Sequence, residues 1–273
     1  MNLTEKNTIL ITGGGSGLGR GLAEAFHKLG NTVIIAGRRK DVLQTVAAAN
    51  PGMQYEVLDV QNLAKLKNFA ADITAEYPGL NVLINMAGIM KLENLNEAVD
   101  LSVVDDIITT NLTAPLHLTA ALLPHLKQQP KATVMTVSSG LAFTPMAMTP
   151  TYCATKAAIH SWSGSLRYQL KGSSVEVLEL VPPYVQTKLM GEQQANDPRA
   201  MTLNDFISEV IQILATQSDA KEILVKNVYP LRFAGDFNAE KFDLFFELLN
   251  GMSRSSGSER DYSHEEASAA PYC

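Results

Sequence analysis

TILITGGGSGLGRGLAEAFHKLGNTVIIAG, residues 8–37, sets a short apolar run, a burst of glycines, an amphipathic run and a second apolar run in direct succession. TILITG (8–13) is continuously apolar rather than alternating, as expected of a strand buried on both faces. LGRGLAEAFHKLG (18–30) has apolar residues at helical spacing and closes on Gly30. TVIIAG (32–37) reads as the next strand. A strand, a helix and a strand joined this closely form a parallel pair with a right-handed crossover.

The same unit repeats along the chain. KDVLQTVAAAN (40–50) reads as a helix stopped at Asn50-Pro51, MQYEVLDV (53–60) as a strand and AKLKNFAADITAEY (64–77) as a helix. NVLINMAG (81–88) is a fourth strand, followed by a long helical region at 101–128. ATVMTVSS (132–139), a helix at 150–171, SVEVLELVPP (174–183), a helix at 203–217 and EILVKNVY (222–229) complete the series. The pattern predicts one α/β domain, a doubly wound parallel sheet of about seven strands with helices on both faces. That domain is expected over 1–251, ending in the amphipathic helix EKFDLFFELLNG (240–251), with a polar C-terminal tail at 252–273. Within it the stretch at about 187–202 is polar, contains Gly191 and Pro198, and reads as a mobile lid.

Composition excludes several classes. The 273 residues carry a net charge of -6 with no basic tract to offset it, which argues against a nucleic-acid partner. Cys153 and Cys273 are the two cysteines, and His27, His117, His125, His160 and His264 lack ligand-like spacing, so neither a disulfide framework nor a metal site is expected. No apolar stretch approaches the ~20 residues of a membrane span, and the N-terminus does not read as a signal peptide. A cytoplasmic protein is the expectation.

The loop TGGGSGLG (12–19) stands after the first strand and before the first helix. Gly13 permits the tight turn out of the strand, while Gly17 and Gly19 allow close backbone approach to a diphosphate and close packing of helix on sheet. With Gly15, Ser16 and Leu18 they form a loop whose backbone N–H groups, at a positive helix end, suit an anion. The second strand ends in Gly37 and Arg38, with no carboxylate before Asp41. A carboxylate there would take a free ribose 2′-hydroxyl, whereas a guanidinium with space beside it suits a 2′-phosphate. NADP(H) is therefore expected in preference to NAD(H), with Asp59 and Val60 bordering the adenine.

Tyr152 and Lys156 lie four apart in TPTYCATKAAIH (149–160) and so share one helix face. Alone the pair is unspecific. Together with the TGxxxGxG loop, NMAG (85–88), Asn111, and VSS (137–139) thirteen residues before Tyr152, it resembles the short-chain dehydrogenase/reductase family, over residues 7 to about 190 and in its shorter, single-domain form. The resemblance implies a Rossmann-type fold and an oxidoreductase acting on a ketone, aldehyde or secondary alcohol. It makes Tyr152 the acid and base and Ser139 the partner of the substrate oxygen, with Ser138 its competitor. Lys156 would hold the nicotinamide ribose and lower the Tyr152 pKa, and Asn111 would hold a relay water. Asn85, Ala87, Gly88, Pro182 and Thr187 would complete the cofactor site. A homodimer or homotetramer through helices 101–128 and 150–171 is implied as well.

Three positions depart from the family pattern. Met86 replaces an Asn, Pro183 replaces a Gly, and Ser16 stands where NADP-preferring members often carry a basic residue. Phe143, Met146, Met148, Tyr184 and Met190 suggest an apolar substrate lining. A nucleotide-sensing or scaffold protein of the same fold is the alternative, and the presence of Asn111, Ser139, Tyr152 and Lys156 together counts against it.

Overall fold

The computed structural model describes residues 6–255 apart from Glu97 and Val99, so most of the expected tail, from 256 on, lies outside the described residues. Seven strands form one parallel sheet in the order β3-β2-β1-β4-β5-β6-β7. They are β1 (Thr8–Thr12), β2 (Thr32–Gly37), β3 (Gln54–Val57), β4 (Leu80–Asn85), β5 (Ala132–Val137), β6 (Val175–Val181) and β7 (Glu222–Leu224). The helices are α1 (Gly17–Lys28), α2 (Lys40–Ala49), α3 (Leu63–Glu76), α4 (Leu101–Ile108), α5 (Ala114–Leu126), α6 (Pro150–Gln169), α7 (Glu192–Ala195), α8 (Leu203–Thr216), α9 (Tyr229–Arg232) and α10 (Ala239–Ser255). None of the described helices is long and apolar enough to cross a membrane.

Successive residues of each inner strand enter opposite cores, which is why those strands read as unbroken apolar runs. Ile9 and Ile11 pack with Val33, Ile35 and Ile84 beneath Leu22 and Phe26 of α1 and Phe206 and Val210 of α8. Leu10, Ile34 and Leu83 point the other way, against Leu66 and Ile73 of α3 and Leu118 and Leu122 of α5.

Several elements differ from expectation for physical reasons. β3 and β7 are shorter than predicted, each pairing on one side only at an edge of the sheet. The helical region 101–128 is two helices joined by a π-helical turn at Thr109–Thr113, which carries Asn111. α10 runs past the expected boundary at 251 to Ser255. The short helices α7 and α9 carry too few residues to show a period in sequence.

The chain winds outward from β1 through β2 to β3, then returns to add β4 on the other side of β1. At this switch point the loops leaving β1 and β4 diverge to opposite faces and open a crevice at the carboxyl ends of the strands.

Candidate active site

The glycine loop is shaped by contacts that no side chain would fit. A Cβ on Gly19 would lie 2.3 Å from the Gly13 carbonyl oxygen, so α1 packs directly against the turn leaving β1. Gly13 has φ +69 and would place a Cβ 2.9 Å from Ala87 Cα. Thr12 Oγ1 accepts the backbone N–H groups of both Met86 and Ala87 at 3.1 Å, joining the ends of β1 and β4. This hydroxyl supplies the polar bridge that Met86 does not make, while the Met86 side chain packs on the core beside α1. A Cβ on Gly17, at φ +53, would lie in van der Waals contact with Thr187 at 3.7 Å, so the segment after β6 comes to the glycine loop.

Gly13, Gly15, Ser16, Gly37, Arg38, Asp59, Val60, Ala87 and Gly88 line one cleft at this crevice. A Cβ on Gly37 would meet only Leu43 Cδ2 at 3.6 Å, so the space beside the exposed Arg38 is real. A nicotinamide dinucleotide fits this arrangement. The glycine loop offers the uncrowded backbone of a diphosphate cradle, and Ser16 leaves the first turn of α1 without a side-chain cap. Several other expected residues have partners within the protein. Asn85 is buried and donates to Thr119 Oγ1 at 2.9 Å, tying the sheet to α5 rather than facing the cleft. Leu18 packs on the core, and Pro182 gives its carbonyl to Gly140 N at 3.0 Å. Thr187 Oγ1 is held by Gln194 Nε2 at 3.2 Å.

Ser139, Tyr152, Lys156 and Asn111 converge beyond β5, all of them buried. The Ser139 hydroxyl stands close enough to the Tyr152 phenol to favour its ionised form, and Ser138 does not compete because its own hydroxyl donates to Glu179 Oε1 at 2.6 Å. Lys156 Nζ lies 5.5 Å from the Tyr152 ring centroid and donates to the Val137 carbonyl at 2.8 Å. Both Nδ2 hydrogens of Asn111 are used, by the Ile89 carbonyl at 2.9 Å and Thr155 Oγ1 at 3.3 Å. Its Oδ1 accepts from Ile89 N at 2.9 Å, which leaves one lone pair for a water. The π turn thus presents an amide that pins the loop after β4 beside Gly88.

The electrostatics depart from the simple expectation that Lys156 lowers the Tyr152 pKa. Burial pushes the phenol up to about 12, and the Ser139 hydroxyl is the one group that pulls it down. Burial also brings Lys156 down to about 8. Its ammonium is thus itself disfavoured, and in the protein alone it serves the Val137 carbonyl.

The apolar wall around Tyr152 consists of Met90, Ile107 and Cys153, with Leu141, Met146 and Met190 against them. Phe143, expected here, instead packs edge-on to His160 at 4.6 Å with the Arg232 guanidinium over its ring. Met148 and Tyr184 are also outside this cluster, and the Tyr184 hydroxyl donates to Asp197 at 3.2 Å.

Sequence reasoning missed the residues that hold this wall. Glu93 accepts from Thr151 N and Oγ1, while its own N–H donates to the Met148 carbonyl. Asn250 of α10 accepts from Ala147 N at 2.6 Å and donates to the Pro145 carbonyl. Neither lies near its partner in sequence, so no local pattern marks it. Glu179 did carry a signal, as a carboxyl group inside a run otherwise read as a buried strand.

The Lys156 shift has a definite consequence. Its pKa falls from 10.5 to about 8 on folding, so between those values the unfolded chain binds more protons and stability rises with pH. Lys156→Met removes the buried ammonium. Its melting temperature should exceed that of the wild type at pH 7, and the margin should shrink as pH rises from about 8 to about 10. Thermal unfolding of both proteins across that range checks it; a margin that is absent, or constant with pH, contradicts it.

The geometry agrees with the comparisons. A family model described as short chain dehydrogenase matches residues 7–198. DltE of Bacillus subtilis (strain 168), an uncharacterized oxidoreductase, is 41% identical over 248 residues, covering 89% of this chain and 96% of that protein. The closed form of a serine dehydrogenase complexed with NADP+ superposes with a TM-score of 0.71 and 26% identity, over 79% of this chain and 91% of that one. A serine dehydrogenase from Escherichia coli gives a TM-score of 0.69 and 26% identity, over 79% and 95%. With the family match running from β1 into the segment beyond β6, and with a relative this similar along nearly its whole length, the chain belongs to the short-chain dehydrogenase/reductase family.

Proposed function

We propose that the protein is an NADP(H)-dependent oxidoreductase that interconverts an apolar ketone or aldehyde and the corresponding alcohol. The observation that carries this reading is the burial of Ser139, Tyr152 and Lys156 together, beside the cleft that the glycine loop and Arg38 line. The NADP+ bound to the related serine dehydrogenase supports the choice of cofactor class. Bound nicotinamide would supply the hydride for reduction and accept it in oxidation.

The chain's own residues perform the proton chemistry. Tyr152, held near 12, is protonated at neutral pH and so is loaded to donate to a carbonyl oxygen. Ser139, beside that phenol, takes the same oxygen and orients it. Lys156 holds the ribose hydroxyls and, once turned toward them, places its charge where a developing phenolate needs it. Asn111 keeps the loop after β4 in place and presents its remaining lone pair to a relay water. The Met and Leu wall offers no charge, which favours an uncharged substrate. The segment 187–202, with α7 inside it, acts as the lid that excludes water. The low exposure of Cys153 suits a thiol in the reducing cytoplasm.

Tyr152→Phe should lose nearly all carbonyl reduction while cofactor still binds, because the diphosphate sits on the glycine loop and not on the phenol. Retention of more than about a tenth of the wild-type rate would remove Tyr152 as the acid.

Cofactor choice has its own test. A charged hydrogen bond from Arg38 to a 2′-phosphate contributes on the order of 1.5–3 kcal/mol, or about ten- to a hundredfold in affinity. Gly37→Asp with Arg38→Ala removes that bond and sets a carboxylate there, in space the structure leaves open. The double variant should lose NADPH use and keep or gain NADH use in steady-state kinetics. A wild type that already prefers NADH, or an unchanged ratio, would reduce Arg38 to a solvated charge.

Self-association through α4, α5 and α6 belongs to the same proposal, supported by the exposure of Leu101 and Ile108 on α4. Light scattering at micromolar concentration should give a dimer or tetramer mass; a monomer mass would dismiss this interface.

A further inference from the structure

Glu179 lies in β6, is fully buried, and is flanked in sequence by Leu178 and Leu180. Burying a carboxyl group in a sheet is costly unless every acceptor is used, and an apolar residue would fill the strand without that cost. Here the acceptors are used. Glu179 Oε1 takes the Ser138 hydroxyl at 2.6 Å, and both carboxyl oxygens lie 3.0 Å from His160 Nδ1. Ser138 is the neighbour of Ser139. His160 is one helical turn beyond Lys156 on α6.

The surroundings show what these bonds hold. Ser138 N donates to the Leu180 carbonyl at 3.0 Å, so its backbone and its side chain are both fixed to β6. On the other side of Ser139, Gly140 N donates to the Pro182 carbonyl, and a Cβ on Gly140 would lie 2.7 Å from Leu231 Cδ1. Ser139 is thereby suspended between two anchored residues. The His160 ring supports Phe143, over which the Arg232 guanidinium also lies, at 4.3 Å. Arg232 in turn makes a two-point contact with Glu222, at 2.6 and 2.9 Å, opposite Glu179 in the β6–β7 register. These partners already engage the carboxyl groups of the His160, Glu179 and Glu222 cluster, so its chemistry is that of a brace between strands and helix and not of a metal site.

From this geometry we infer that Glu179 is a positioning residue, which through Ser138 and His160 fixes Ser139 and Lys156 relative to Tyr152. The inference rests on the proposed function for its kinetic consequence and on geometry alone for its structural one. Ser138→Ala cuts a single link with little change in volume. Its kcat for carbonyl reduction should fall about ten- to a hundredfold, as expected for a reacting group displaced by a fraction of an ångström to an ångström, with cofactor affinity unchanged. Glu179→Gln keeps an acceptor oxygen for Ser138 and a similar shape, so it should retain about half or more of the wild-type kcat. The double variant should be no slower than Ser138→Ala, since the link is then already cut. Crystal structures of the wild type and Ser138→Ala should show Ser139 Oγ displaced from the Tyr152 hydroxyl. A Ser138→Ala enzyme with wild-type kcat, or an unmoved Ser139 in its structure, overturns the inference. If the wild type reduces no carbonyl at all, the proposed function fails, and the position of Ser139 in the two structures still decides this inference.

Discussion

The structure depends on one close approach, the contact of α1 with the turn leaving β1. With 2.3 Å between the Gly13 carbonyl and the place a Cβ on Gly19 would occupy, only glycine allows the helix to start there. That contact sets α1 over the sheet, and with it the Leu22 and Phe26 side of the core. It also leaves the first turn of the helix open toward the crevice between β1 and β4. The Thr12 hydroxyl then ties the start of the post-β4 loop to the same place, so cleft and core are fixed by one small region.

The candidate catalytic groups are held by the opposite strategy, the burial of polar atoms with their partners supplied. Tyr152 is lifted to about 12 and Lys156 is lowered to about 8 by the same cause, removal from water. Both shifts favour the neutral form, so the protein alone does not create a phenolate at Tyr152. A ribose drawing Lys156 away from the Val137 carbonyl would change this balance. Such a site is costly to stability, a common relation between active-site electrostatics and folding.

Distant segments secure the apolar wall next to Tyr152. Glu93 binds the start of α6, and Asn250 reaches from α10 to the loop at 145–147. The wall therefore belongs to a set of loops clamped from both sides, and the C-terminal helix is part of the site's frame.

The strand and helix order, the glycine loop, and the spacing of Ser139, Tyr152 and Lys156 were legible in the sequence because each rests on local chemistry. Apolar runs, glycine turns and an i, i+4 pair act over a few residues. Distance along the chain hid the rest. The count back from Tyr152 favoured Ser139 over Ser138, but the physical reason for it, the Glu179 carboxyl group 41 residues on that engages Ser138, was not visible. Phe143 read as substrate lining until His160 and Arg232 claimed its ring. Asn85 read as a cofactor contact until Thr119 of α5 claimed its amide. The lysine–tyrosine spacing was visible, but the direction of both pKa shifts was not, because desolvation depends on everything packed around a group. Sequence determined which residues share an element and a face; the tertiary structure decided which partner each polar group meets, because burial forces every such group to find one.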